Sequence, residues 1–188
     1  ELWRTAIGYE TRVDARSGRQ VLQPAALWLH EREGRTRALA EELAPVIEPA
    51  LKNMGWPHGS GQEFLRIVCN ESGLLTCWDQ EHYGFMHLGF QEFLAAREIQ
   101  NNCLRNPVIL NDLAERFGQS WWQEVILLLL GLDNPCVFEV FIRALVRKSN
   151  FAQFPELVEM CLADAAELPL KPFLELLQAK AGKDTEHW

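Results

Sequence analysis

Between residues 74 and 88 the spacing of apolar side chains changes, and this break limits the fold more than any other feature. Leu74-Leu75-Thr76-Cys77-Trp78 reads as a strand. Asp79-Gln80-Glu81-His82 is polar, as a turn requires, and Tyr83-Gly84-Phe85-Met86-His87-Leu88 reads as the returning strand. The turn holds neither Asn-Gly nor Asp-Gly, so its type stays open. Most of the remaining chain has helical periodicity, which makes this the one convincing β signal in the chain.

Before the hairpin, Val21, Ala25, Leu27, Trp28 and Leu29 predict a short amphipathic helix ending near Gly34. Thr36 suits the N-cap of a second helix with Leu39, Leu43, Val46, Ile47, Ala50 and Leu51 at helical spacing. Pro45 and Pro49 predict that this helix is kinked or split. Ser60 to Glu63 fits a capping box, followed by Phe64, Leu65, Ile67 and Val68 and a stop near Gly73. Three helices followed by a two-stranded wing is the winged-helix order, a variant of helix-turn-helix.

After the hairpin five or six helices are expected. Phe90, Phe93, Leu94 and Arg97 share one face of the first. Asn106-Pro107 resembles an N-cap with Pro at N1, and Ser120 to Gln123 another capping box. The helix through Leu130 is apolar nearly all round and is expected to be buried. Asn134-Pro135 starts a helix with Phe138, Phe141, Ile142 and Leu145 inward, and further helices run over about 155–165 and 169–181. The expected fold class is therefore mainly α. Residues 1–19 would end a preceding helical domain, 20–101 form a winged-helix domain of three helices, a two-stranded wing and a following helix, 105–182 form a short antiparallel helical array with degenerate repeat character, and 183–188 form a tail.

Composition and charge narrow the function classes. Of 188 residues 48% are hydrophobic and 23% charged, which is globular rather than disordered composition. The net charge is -8, so the chain lacks the general positive field that nucleic acid or an anionic membrane requires. Basic residues cluster at Arg32, Arg35 and Arg37, but the helix after them carries Glu41, Glu42 and Glu48 and would repel phosphates. A winged-helix DNA-binding regulator with a helical dimerisation or ligand domain remains the alternative, disfavoured by this charge. The longest apolar run, Val125 to Leu132, is far shorter than the ~20 residues that span a bilayer. The chain opens at Glu1 in mid-pattern, with no signal peptide to read, and is taken as a piece of a longer protein.

Local chemistry is sparse. The sequence has no phosphate-cradling Gly-x-x-x-x-Gly-Lys-Ser/Thr, no Gly-x-Gly-x-x-Gly and no Gly-x-Ser-x-Gly. Cys69, Cys77, Cys103, Cys136 and Cys161 are widely spaced and fit buried, reduced thiols of a cytoplasmic protein, with no metal site. His30 and His58 read as surface residues. His87, at the end of the second strand and just before a helix N-terminus, is placed to present a donor to an anion; a strand-end His satisfied by backbone is the competing reading.

Four segments carry a resemblance. Residues 83–96, YGFMHLGFQEFLAA, resemble the F-x-H-x-x-F-Q-E-[YF]-L-A-A segment of NACHT-family STAND NTPases, the bacterial relatives of animal NOD-like receptors. Phe64-Leu65 through Glu71-Ser72-Gly73-Leu74-Leu75, Trp28 to Glu31 with Gly34-Arg35-Thr36, and Trp121 to Leu129 are similar to neighbouring segments of those proteins, in the same order. Gly89 departs from the pattern, standing where many relatives carry Thr. The resemblance implies a regulatory piece of a signalling ATPase, not itself an enzyme and with no cofactor of its own; the parent would bind ADP or ATP with Mg. It implies that His87 senses the ADP phosphate on an upstream nucleotide-binding domain of the same chain. It further implies homo-oligomerisation on activation, a protein ligand on the helical region, and antiviral-type signalling in the cytoplasm.

Overall fold

A computed structural model describes residues 13–57, 59–133, 135–148, 151–166 and 168–184. The chain divides into two compact units between Leu94 and Ala95. It is mainly helical, with a small three-stranded antiparallel sheet in the first unit.

In the first unit, helix α1 (Ala15–His30) starts where the Asp14 carboxylate accepts from the N–H groups of Arg16 and Ser17, both at 3.0 Å. This cap lies well before the first periodic apolar residue. Val21, Leu22, Ala25, Ala26 and Leu29 form its buried face. Strand β1 (Arg37–Leu39) follows, then α2 (Ala40–Met54), α3 (Gly61–Ser72), β2 (Leu75–Trp78), β3 (His82–Phe85) and α4 (Leu88–Cys103). α2 packs on both α1 and α3, and α3 packs on β2. Leu43, Ile47 and Leu51 of α2 and Phe64, Leu65, Ile67 and Val68 of α3 make the core.

The sheet runs β1-β3-β2, with β3 antiparallel to both neighbours. Tyr83 stands opposite Ala38 on one side and Cys77 on the other. The wing thus has a third strand that periodicity concealed. Three residues are too few to show alternation, and Leu39 falls at helical spacing from Leu43. The strand also moves the start of α2. Leu39, not Thr36, holds the N-cap position, and the Glu42 carboxylate accepts its N–H at 2.9 Å.

Other local signals are met in part. Pro45 and Pro49 lie inside one continuous α2. Both are exposed and four residues apart, so the carbonyls they leave without a helical donor face water. Ser60 Oγ accepts from the Glu63 N–H at 3.4 Å, but the Glu63 carboxylate turns to Arg66 instead of completing the capping box. α3 ends at Gly73, whose φ of 67° is the left-handed conformation a C-cap needs. In the hairpin turn Asp79 and Gln80 both have positive φ, 46° and 64°, and the Glu81 N–H donates to the Trp78 carbonyl. This is the primed turn that a twisted hairpin favours, here without glycine.

The second unit continues α4 and adds α5 (Val108–Glu115), α6 (Ser120–Gly131), α7 (Pro135–Lys148), a 3-10 turn (Phe151–Gln153), α8 (Pro155–Asp164) and α9 (Leu170–Asp184). α5 and α9 pack on α7, and α6 packs on α8. The Asn106 side chain accepts from the Val108 N–H at 3.2 Å and caps α5. Ser120 does not cap α6, because the helix already includes it and Gln119 takes the cap position without a side-chain bond. Phe138, Phe141, Ile142 and Leu145 are buried, as is half of α6, from Trp122 to Leu130. Cys103 and Cys161 are buried thiols, and Cys69 and Cys77 are partly covered.

Gly84 marks the closest approach in the sheet. A Cβ there would collide with the Thr36 carbonyl and sit 3.1 Å from Trp78 Cζ3 and 3.2 Å from Arg37 Cα. Gly84→Ala should cost about 1–3 kcal/mol through forced separation of β1 from β3, whereas Gly89→Ala, with nothing within 4 Å of its new Cβ, should cost nothing; urea melts compare the two. Acid should also loosen the hairpin. Hydrogen bonds from His82 hold the Asp79 carboxyl below its usual range. Their contribution is full above the ordinary carboxylate pKa of about 3.9 and disappears as pH falls through the lowered folded value. Amide exchange at His82 should report that loss.

Candidate functional site

Among the described residues of the first unit, the most open apolar surface lies where β3 hands over to α4. Pairing continues one residue past β3, since the Met86 N–H donates to the Leu74 carbonyl at 3.0 Å. His87 then occupies a bend, and its carbonyl accepts from the Phe90 N–H at 3.1 Å in the first turn of α4. His87 therefore sits two residues beyond the strand, not at its end. Its side chain is exposed, with the imidazole tilted against the Phe90 ring at 5.7 Å between centroids. Around it Met86, Leu88 and Phe90 are 48%, 40% and 39% exposed. An imidazole at a helix N-terminus, ringed by uncovered apolar side chains, can offer a donor to an anion carried on a surface that buries the ring.

Of the four residues that share a face of α4 by spacing, Phe90 and Arg97 are exposed, Phe93 is half-buried and Leu94 is buried. The inward residues of α4 are Gln91, Leu94, Ala95, Ala96, Ile99, Gln100 and Cys103. Two glutamines on the buried face break its apolar pattern, so spacing alone does not mark that face. Gly89 is within α4 rather than at its cap. The space around it would accept the Thr of relatives.

His30 also departs from expectation, for it is 0% exposed. Its Nδ1 lies 3.5 Å from Gln91 Nε2, and the same Nε2 donates to the Arg35 carbonyl at 3.2 Å. The Arg35 guanidinium lies 3.6 Å over the Trp28 ring and donates to the carbonyls of Trp28 and Leu29. His30, Arg35 and Gln91 were missed as a group. The available signal was Gln91, a polar residue at an inward position of a helix. His58 lies outside the described residues.

The positive residues offer little to nucleic acid. In this topology α3, not α2, takes the recognition position of helix-turn-helix. It carries Glu63, Arg66 and Glu71, and Nε and Nη2 of Arg66 donate to the Glu63 carboxylate at 3.0 and 2.7 Å. Arg35 is engaged as described, and Arg37 lies 6.0 Å over Trp78.

Elsewhere the titratable groups look structural. Burial pushes the Cys69 thiol up and Cys161 up to about 12, the opposite of what a nucleophile needs. Burial, then its hydrogen bond with Cys77, raises Tyr83 to about 12. Among the described residues no group of three or more His, Cys, Asp or Glu could hold a metal ion, and no helix is long and apolar enough to cross a membrane.

The family model described as the winged helix-turn-helix domain C-terminal to NACHT matches residues 4–99, about half of the chain. The chain belongs to this family. Comparison with curated proteins and with solved structures returns no match. The NACHT-associated winged helix thus spans α1 to most of α4, and His87 falls within it. Because its recognition-position helix is acidic on balance, duplex DNA should show no retained band in a gel shift at about 0.15 M salt, and Arg66→Ala should leave that result unchanged.

Proposed function

We propose that this chain is the regulatory winged-helix and helical region of a NACHT-type signalling ATPase, and that its winged helix latches the ADP-bound resting state. The reading takes 20–101 as the latch and 105–182 as the link to a sensor. The nucleotide would lie on a P-loop domain upstream in the same protein, with Mg held there. The chain would do no catalysis itself.

One observation carries the reading: an exposed His87, held at the wing-to-α4 bend, stands among three exposed apolar side chains. Its location within a family whose members lie C-terminal to NACHT supplies the partner. In the resting state the imidazole donates to the diphosphate of ADP while Met86, Leu88 and Phe90 are covered by the nucleotide domain. Covering them excludes water, which strengthens the bond. A hydrogen bond to a charged group is worth about 1.5–3 kcal/mol, which shifts a closed-to-open ratio roughly ten- to a hundred-fold. Exchange for ATP, prompted from the sensor side, releases the latch and frees surface for homo-oligomerisation. A cytoplasmic role in antiviral-type signalling follows from the same reading, with a protein ligand on the helical region.

In the full-length protein His87→Ala should speed ADP release by about tenfold or more and raise basal activity. An unchanged off-rate overturns the role of His87. The isolated chain should bind ADP or ATP no tighter than about millimolar, since one hydrogen-bonding side chain cannot supply more; micromolar binding by calorimetry would contradict this.

A further inference from the structure

We infer that Gln91 is the positioning residue of the His87 site, an inference that rests on the latch reading above. Gln91 is fully buried in the first turn of α4, four residues after His87. Its Nε2 donates to the Arg35 carbonyl at 3.2 Å. A carbonyl can only accept, so this bond sets the orientation of the amide. The second N–H of the same nitrogen then faces His30 Nδ1 at 3.5 Å, and Oε1 is left buried with no hydrogen-bond partner.

The acceptor is itself held in place. Arg35 is clamped on the end of α1 by its stacking on Trp28 and by its bonds to the Trp28 and Leu29 carbonyls. On the other side of the site, the Met86 N–H is bonded to the Leu74 carbonyl at 3.0 Å. His87 thus lies between two fixed points, one residue from the first and four from the second. Gln91 ties the second point to α1.

An amide with one polar atom unpaired in the core carries a cost, and an apolar side chain in its place would leave the Arg35 carbonyl without this donor. What the amide adds is direction. It sets the rotation of the first turn of α4 about its axis, and so the aim of His87, the residue that precedes it. Gln91 does not touch the nucleotide in this scheme; it acts through His87.

The test is a double-mutant cycle on ADP release from the full-length protein, using His87→Ala, Gln91→Leu and both together. Gln91→Leu should raise the off-rate about threefold or more when His87 is present and by less than about 1.5-fold in the His87→Ala background, the non-additivity of a residue acting through its neighbour. Its melting temperature should fall by the same amount in both backgrounds, because the Arg35 carbonyl loses its donor in each. Equal effects of Gln91→Leu in both backgrounds, or none in either, overturn the inference and leave the role of His87 standing. No effect of His87→Ala alone sinks the latch reading, and this inference with it. If Gln91→Leu fails to fold, Gln91→Met carries the same cycle; failure of both to fold makes Gln91 merely structural and overturns the inference.

Discussion

Strand β3 is hydrogen-bonded along both edges, and the first unit is arranged around that pairing. β1 on one side and β2 on the other hold four residues between two short strands. A two-stranded hairpin of this length is marginal alone. The third strand and the packing of α3 on β2 make it a platform. Gly84 is required because the Thr36 carbonyl crosses where a Cβ would project. The site depends on this platform, because β3 delivers the chain to the bend at His87 and to the start of α4.

The same topology serves DNA recognition in other settings, and electrostatics separates the two uses. A groove-reading helix needs free cationic or amide groups aimed at phosphates and base edges. Here Arg66 is bonded to Glu63, Arg35 is folded onto Trp28, and α3 carries two acids against one base. The exposed surface that stands out in the first unit is instead apolar, around His87. Met86, Leu88 and Phe90 are the side chains that docking of a nucleotide domain, as proposed, would cover.

Polar burial in the first unit is concentrated where α1 ends and α4 begins. His30, Arg35 and Gln91 join segments 56 and 61 residues apart in sequence. Such contacts gain directionality from low local dielectric, and they penalise imperfect geometry for the same reason. Their placement next to the His87 bend is what would give an exposed imidazole a fixed aim under the proposed latch.

Local patterning, helical spacing for most helices and its interruption for the hairpin, is enough to read the winged-helix order, because each element rests on short-range signals that a partner only reinforces. Asp14, Asn106 and Gly73 likewise act through neighbours a few residues away. The family motif around His87 was legible for the same reason: it is one continuous stretch. Tertiary structure alone decided the third strand, the continuity of α2 through its two prolines, the burial of His30 and which side of α4 turns inward. A three-residue strand exists only because β3 accepts it, and a polar residue such as Gln91 can face the core only where a distant carbonyl meets it. Local spacing carries no record of either partner, so those features emerge only once the chain has folded back on itself.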